Sequence, residues 1–311
     1  MINFVNLDYF VKIAEAGSVT RVAEHEHVSQ QSLSNHIKKI EETYRVELFD
    51  RSGRMALTPA GEVFYRHAVR ILSEYADMNE RLSDMRGERQ GSLKIGLSYT
   101  RGCVFLPEIL PRYHAENPCI RVEIIENNAK VLEEYLLGGH IDCCLGADLF
   151  RRPDIEIVPL CREMHYLVVP DALCPPTEAD EGAVRSLPLD ISRIADLPFL
   201  LLSPGNRVRA AFDRYLAARG LRVNVLLEGE NIETLFDLTC CGMGVTVYPE
   251  MFLRHRLSAL PAGVTFYPID DGEEHILSVG YRRKDYMSYA LESFISAAKA
   301  CFSETNRLIF S

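Results

Sequence analysis

The chain has 311 residues, with 34 Lys and Arg against 44 Asp and Glu for a net charge of −10, and 47% of its residues are hydrophobic. At about 100–200 residues per domain, that length holds two or three compact units, and the composition excludes a disordered, collagenous or disulfide-stapled chain. No run approaches the roughly 18–20 apolar residues of a membrane span, and the acidic balance argues against nucleic acid as a partner.

The first elements are short helices. Leu7, Phe10, Val11 and Ala14 recur at i, i+3, i+4, i+7, which predicts an amphipathic helix that stops at Gly17. Ser18 is placed to N-cap a second helix carrying Val19, Val22 and Ala23 inward, and Ser29 to cap a third. Val28 and Leu33 then stand at the N′ and N4 positions of a hydrophobic staple. Leu33, Ile37, Ile40 and Tyr44 form the expected inner face of the third helix. Its other face carries Gln30, Gln31, Ser34, Asn35 and Lys38, with Lys39 beside them and no apolar residue. Gln and Asn offer a donor and an acceptor side by side, which suits adenine in the major groove, and Lys suits phosphate or guanine. Two capped helices around a tight turn describe a helix-turn-helix. A small helical bundle with a solvated face fits the pattern alone equally well.

Residues 47–51 and 54–58 follow as two short strand-like pieces around Ser52-Gly53, with Arg51 and Arg54 flanking the tip of this small wing. Thr58 then caps a long helix with Pro59 at N1. Phe64, Ala68, Ile71, Tyr75, Met78, Leu82 and Met85 recur along it at 4-3-4-3-4-3, the spacing of a coiled-coil seam. The polar, glycine-flanked stretch 87–92 is the best linker candidate, and residues 174–182 read as an exposed, biased loop.

From Ser92 onward, short β-rich runs alternate with amphipathic stretches, the signature of an α/β unit with a mostly parallel sheet. Strands are expected at 93–97, 120–125, 141–146, 199–202, 223–227, 245–248 and 276–281, and helices at 106–114, 130–137, 208–218, 234–240 and 288–302. Two α/β halves with chain crossings near 162–166 and 267–270 predict a hinged domain of two lobes. Ligands of such sheets sit beyond the carboxyl ends of the strands. Those ends supply Ser98, Tyr99, Thr100, Arg101, Asn127, Asn128, Ser203, Asn206, Arg207, Glu230 and Asn231 as candidate effector residues. Arg101 and Arg207, each opening a predicted helix, are candidates to clamp an anion.

These features converge on a resemblance. The stretches around Phe10, Ala14-Glu15, Gly17-Ser18, Ala23, residues 28–34, Ile37, Ile40-Glu41, residues 48–51 and 57–61 are similar to the LysR-type transcriptional regulators over some sixty residues. Leu106-Pro107, residues 138–142 and the Gly242-Met243-Gly244 turn extend it more loosely along nearly the whole chain. The family pattern is broken where Gln31 stands for Pro, at His36, and where Arg45 stands for the Gly that ends the recognition helix. A non-glycine residue in left-handed backbone is therefore expected at Arg45.

The resemblance implies an N-terminal, all-α winged helix-turn-helix (residues 1–58) and a linker and dimerisation helix (59–88). An α/β effector domain like that of periplasmic binding proteins (89–311) follows, with one lobe at 92–162 and 269–311 and the other at 163–268. DNA-contacting residues are expected among Ser18, Thr20, Ser29, Gln30, Gln31, Ser32, Ser34, Asn35, Lys38, Lys39, Arg51 and Arg54. The expected partners are double-stranded operator DNA, a small effector for which an anion is the candidate, and copies of the chain in dimers and tetramers, with RNA polymerase a further candidate. The charge divides by region: residues 1–87 hold 11 Lys and Arg against 13 Asp and Glu, so most of the excess acid lies beyond them.

An enzyme is not expected. There is no P-loop and no Gly-x-Ser-x-Gly elbow, the histidines show no metal-ligand spacing, and neither cofactor nor metal is anticipated. The nine cysteines are scattered, and two adjacent pairs lack zinc-type spacing, so buried thiols in a reducing compartment are the expectation. Residues 1–8 lack the basic start and apolar core of a signal peptide, and a cytoplasmic location follows. The rival reading is a two-lobed solute-binding module or small-molecule enzyme whose N-terminal helices only oligomerise.

Overall fold

A computed structural model describes residues 3–50, 55–174, 183–256, 260–284 and 286–303. They fall into two compact units, residues up to Gly91 and residues from Ser92 on, with 137–140 grouped with the first.

In the first unit, α1 (Phe4–Ala16) starts at a capping box in which Asn3 Oδ1 accepts from the Asn6 N–H at 3.0 Å and Asn6 Oδ1 from the Asn3 N–H at 3.4 Å. It ends at Gly17, in left-handed backbone at φ 60°. Ser18 caps α2 (Val19–His25), and Ser29 caps α3 (Gln30–Tyr44). The core is Phe10, Ile13, Val22, Ala23, Leu33, Ile37, Ile40, Leu48, Phe49 and Ala68. Ile13 is fully buried while Leu7, Val11 and Ala14 are only partly so, which turns the inward face of α1 about one position from the stripe read in the sequence. Tyr44 is not an inner residue: it is 56% exposed and lies edge-on to Phe64 at 5.6 Å.

Arg45 closes α3 in left-handed backbone (φ 56°, ψ 41°), its N–H donating to Glu41 O, as its departure from the family pattern led us to expect. A side chain with a Cβ is strained there. Arg45→Gly is therefore expected to raise stability by about 0.5–1 kcal/mol, the relief of strain exceeding the entropy lost. Chemical denaturation of the two proteins checks this, and a destabilised glycine variant would contradict it.

The hairpin pairs β1 (Phe49–Asp50) with β2 (Ala56–Leu57) antiparallel. Its tip, with the expected DNA contacts Arg51 and Arg54, lies outside the described residues, as do residues 175–182 of the biased loop. Thr58 Oγ1 accepts from the Gly61 N–H at 3.0 Å, capping α4 (Pro59–Met85), and donates to Glu47 O at 2.7 Å. Gly61 is required by this junction, because a Cβ there would lie 2.0 Å from Leu48 O.

The second unit holds a five-stranded sheet in the order β4-β3-β5-β12-β6. Its strands are β3 (Gly91–Leu97), β4 (Ile120–Glu126), β5 (Cys143–Ala147), β6 (Ile155–Glu163) and β12 (His275–Arg282). β3 and β5 run parallel, and β12 is antiparallel to both β5 and β6. Helices α5 (Tyr99–Glu116), α6 (Ala129–Gly138) and α10 (Tyr289–Ser303) accompany it. α5 and α10 are joined by the Tyr113 hydroxyl donating to Ala290 O at 3.0 Å and by the Tyr113–Phe294 ring pair at 5.7 Å.

The other lobe has β7 (His165–Pro170) between β10 (Thr246–Pro249) and β11 (Val264–Pro268), and a parallel pair, β8 (Pro198–Leu202) with β9 (Asn224–Gly229). The Leu200 N–H donates to Val245 O and the Val245 N–H to Pro198 O, both at 2.8 Å, stitching β8 to the start of β10. Helices α7 (Arg207–Ala218), α8 (Ile232–Cys240) and α9 (Glu250–Arg256) complete it. The chain crosses between lobes twice, from β6 into β7 through Met164 and from β11 into β12 through residues 269–274.

Candidate DNA-reading face and effector cleft

Because α3 buries Leu33, Ile37 and Ile40 on one face, its opposite face points outward. Gln30, Gln31, Ser34, Asn35, Lys38 and Lys39 are all exposed, and Thr20 of α2 is exposed too. Ser18 and Ser29 use their hydroxyls as caps, accepting from the N–H groups of Arg21 and Ser32, and Ser32 is half-buried. His36 turns inward against Tyr9, with ring centroids 5.0 Å apart.

The long seam divides in two. Ala68 is buried and Phe64 packs edge-on to Phe10 at 4.8 Å, so these two serve the core of their own unit rather than a partner. Ile71, Tyr75, Met78, Leu82 and Met85 are 39–77% exposed. Phe4, stacked on Tyr75 at 4.2 Å, extends this apolar stripe onto α1, a contribution the sequence reading missed.

In the second unit, a cleft of about 700 Å³ brings together all eleven effector candidates, Ser98, Tyr99, Thr100, Arg101, Asn127, Asn128, Ser203, Asn206, Arg207, Glu230 and Asn231. The helices explain the convergence. Asn206 accepts from the Val208 N–H, Asn231 from the Glu233 N–H and Asn128 from the Val131 N–H, so α7, α8 and α6 all start at the cleft. α5 starts there behind Ser98, which makes no side-chain cap. Four helix N-termini thus give the cleft a positive backbone field.

Both arginines carry partners. Arg101 is 9% exposed and forms a fork with Glu163, at 3.0 Å to Oε2 and 3.5 Å to Oε1, and lies over the adjacent rings of Phe105 and Phe252. Arg207 pairs with Glu133 and donates to Ala147 O at 3.1 Å, and burial lowers its pKa.

At the hinge the structure assembles a cluster that the sequence did not announce. His275, the first residue of β12, meets Asp148 Oδ2 at 2.7 Å through Nδ1 and Asp271 Oδ2 at 2.8 Å through Nε2. The hydrogen bond with Asp148 is the main cause that lifts its pKa to about 9. His165, the first residue of β7, lies against it with ring centroids 4.2 Å apart and planes tilted by 30°, and burial pushes its pKa down to about 4. Asp148 sits in left-handed backbone (φ 50°) and is bolted to β12 through the N–H and carbonyl of Ile276. Asp148 and His165 both line the cleft.

Burial raises the thiol pKa of Cys144 to about 12 and that of Cys240 to about 11, and it also raises that of Cys143, which disfavours reactive thiolates there. Among the described residues, no helix is long and apolar enough to cross a membrane.

A helix-turn-helix with an exposed polar face, followed by a two-lobed unit with a cleft at four helix starts, defines a DNA-binding regulator that carries its own small-molecule sensor. Residues 4–62 match the family described as bacterial regulatory helix-turn-helix protein, lysR family, and residues 86–302 match the LysR substrate binding domain. The chain therefore belongs to the LysR family: it is an effector-responsive transcriptional regulator and not an enzyme. It is 29% identical to the uncharacterised HTH-type transcriptional regulator YcgK of Bacillus subtilis (strain 168), covering 96% of this chain and 94% of that one. It is 30% identical to the nitrogen assimilation regulatory protein nac of Klebsiella aerogenes, covering 83% and 81%. A full-length OxyR variant from Pseudomonas aeruginosa superposes with a TM-score of 0.72 at 26% identity, covering 97% of this chain and 99% of that one.

Proposed function

We propose that two copies of this chain read a pseudo-palindromic operator through Gln30, Gln31, Ser34, Asn35, Lys38 and Lys39, and that a small anion in the cleft controls them. Exposure of these six on the face opposite the core supports the first part. The dimer forms through the exposed half of the α4 seam, pairs of dimers make a tetramer, and closure of the lobes on the effector changes how the pairs sit on the promoter. Contact with RNA polymerase belongs to the same reading.

One observation carries the choice of an anion: four helix N-termini and two arginines meet in one cleft. Arg101 and Arg207 are already matched by Glu163 and Glu133, so the pull on an anion comes from the helix starts and from an arginine that exchanges its glutamate for the ligand. Calorimetry of the full-length protein against small carboxylates and phosphates tests this. Arg207→Gln, at a half-buried site, is expected to weaken the anion that binds by about tenfold or more, the loss of a charge-assisted hydrogen bond. Unchanged affinity, or a preference for cations, would overturn the reading. For the DNA half, operator affinity must fall steeply with salt and exceed that for random duplex.

A further inference from the structure

We propose that the hinge of the second unit is a divalent transition-metal site, with His165, His275 and Asp271 as ligands and Asp148 as the group that orients His275. Three observations carry it. First, one donor atom from each of the three ligands lies within 4.8 Å of the others, so shifts of about an ångström give coordination distances. Two imidazoles and a carboxylate are a donor set that suits Zn²⁺, Co²⁺ or Ni²⁺ and leaves an open position.

Second, Asp148 accepts from His275 Nδ1 while itself held to β12 by Ile276. A carboxylate behind a histidine fixes the ring and its tautomer and leaves Nε2 facing the ligand side, the usual support of a metal-bound imidazole. Nε2 already points at Asp271, and the ion takes the place of the proton between them, which passes to solvent.

Third, His165 is 4% exposed, lines the cleft, and lies against His275 with ring centroids 4.2 Å apart. Burial keeps this imidazole neutral, the form that binds a metal ion, and the cleft gives the ion a way in. Charge closes the account: Asp148 and Asp271 balance a dication, while the nearby Arg101 is already matched by Glu163.

The four residues come from the end of β5, the start of β7, the second crossing and the start of β12. An ion there ties both crossings together and sets the angle at which the lobes can close. The inference does not depend on what fills the rest of the cleft, since metal uptake is read without effector or DNA.

The test uses full-length protein stripped with a chelator and titrated with Co²⁺ alone, then Zn²⁺. One equivalent of Co²⁺ per chain is expected, with visible ligand-field absorption that Zn²⁺ abolishes, and a higher thermal midpoint for the loaded protein. His165→Gln should weaken Co²⁺ binding at least tenfold, and Asp148→Asn by about 10–100-fold. Substitution of the exposed His25 by Ala should change nothing. A readout on the unaltered protein guards against misfolded variants: Zn²⁺ must shift the ring-nitrogen resonances of two of the nine histidines. Absence of stoichiometric Co²⁺ uptake by the folded protein, or uptake that His165→Gln leaves intact in a folded variant, would show a closed ion-pair cluster and overturn the proposal.

Discussion

Ile71→Glu is expected to abolish operator binding, lowering affinity by about 10²-fold or more. The reason starts with charge. Residues 1–87 carry more acid than base, so one copy has little general attraction for phosphate and depends on a few placed groups. Doubling those contacts on one rigid frame is what makes specific binding tight. The frame is the α4 stripe of Ile71, Tyr75, Met78, Leu82 and Met85, which is exposed in the single chain and has the spacing of a two-helix seam. A carboxylate at Ile71 would have to be buried without a partner on dimerisation. Because Ile71 is 46% exposed, its own unit should still fold, whereas a charge at the buried Ala68 would unfold it. Sedimentation should therefore report a folded monomer, and anisotropy with operator duplex should report lost binding. A dimer with retained affinity would show that another surface pairs the copies.

Glu163→Ala is expected to cost about 3–5 kcal/mol of the second unit's stability, because it leaves the Arg101 guanidinium buried and unpaired over two aromatic rings. For a unit of this size that is a fall of roughly 10 °C in thermal midpoint. The pair also closes one crossing of the hinge, since Glu163 ends β6 and Arg101 lies in the first turn of α5. Arg101→Met combined with Glu163→Leu should recover most of the stability, as apolar replacements of buried ion pairs often do. On the anionic-effector reading it should still lose the response to effector. Thermal scans of the three proteins, with the effector-dependent DNA shift, separate the two roles. A Glu163→Ala protein within 1 kcal/mol of the parent would mean that water reaches this arginine.

The two units differ in how far they could be read in advance. In the first, helix starts are local events: Ser18, Ser29 and Thr58 each accept from an N–H three residues on, and that distance is visible in the chain. The seam was read too far because 4-3 spacing describes a face and not what covers it. Phe64 and Ala68 lie where α4 still packs on its own unit, and Ile71 onward lies beyond that core. β6, β7 and β11 gave no expected strands: β7 and β11 are buried without alternation and run into the stretches read as chain crossings near 162–166 and 267–270, and β6 is broken by Pro159 beside an irregular register.

The sequence by itself determined that this is a DNA-binding regulator with a sensor, and it named the residues that open the cleft. Those residues follow strand ends and start helices, positions marked by nearby neighbours in the chain. Only the tertiary structure decided which partners hold Arg101 and Arg207, and only it placed Asp148, His165, Asp271 and His275 together. Asp148 and His275 are 127 positions apart. They meet because β12 returns to pair with β5, and a contact made by strand pairing leaves no periodic trace in the sequence.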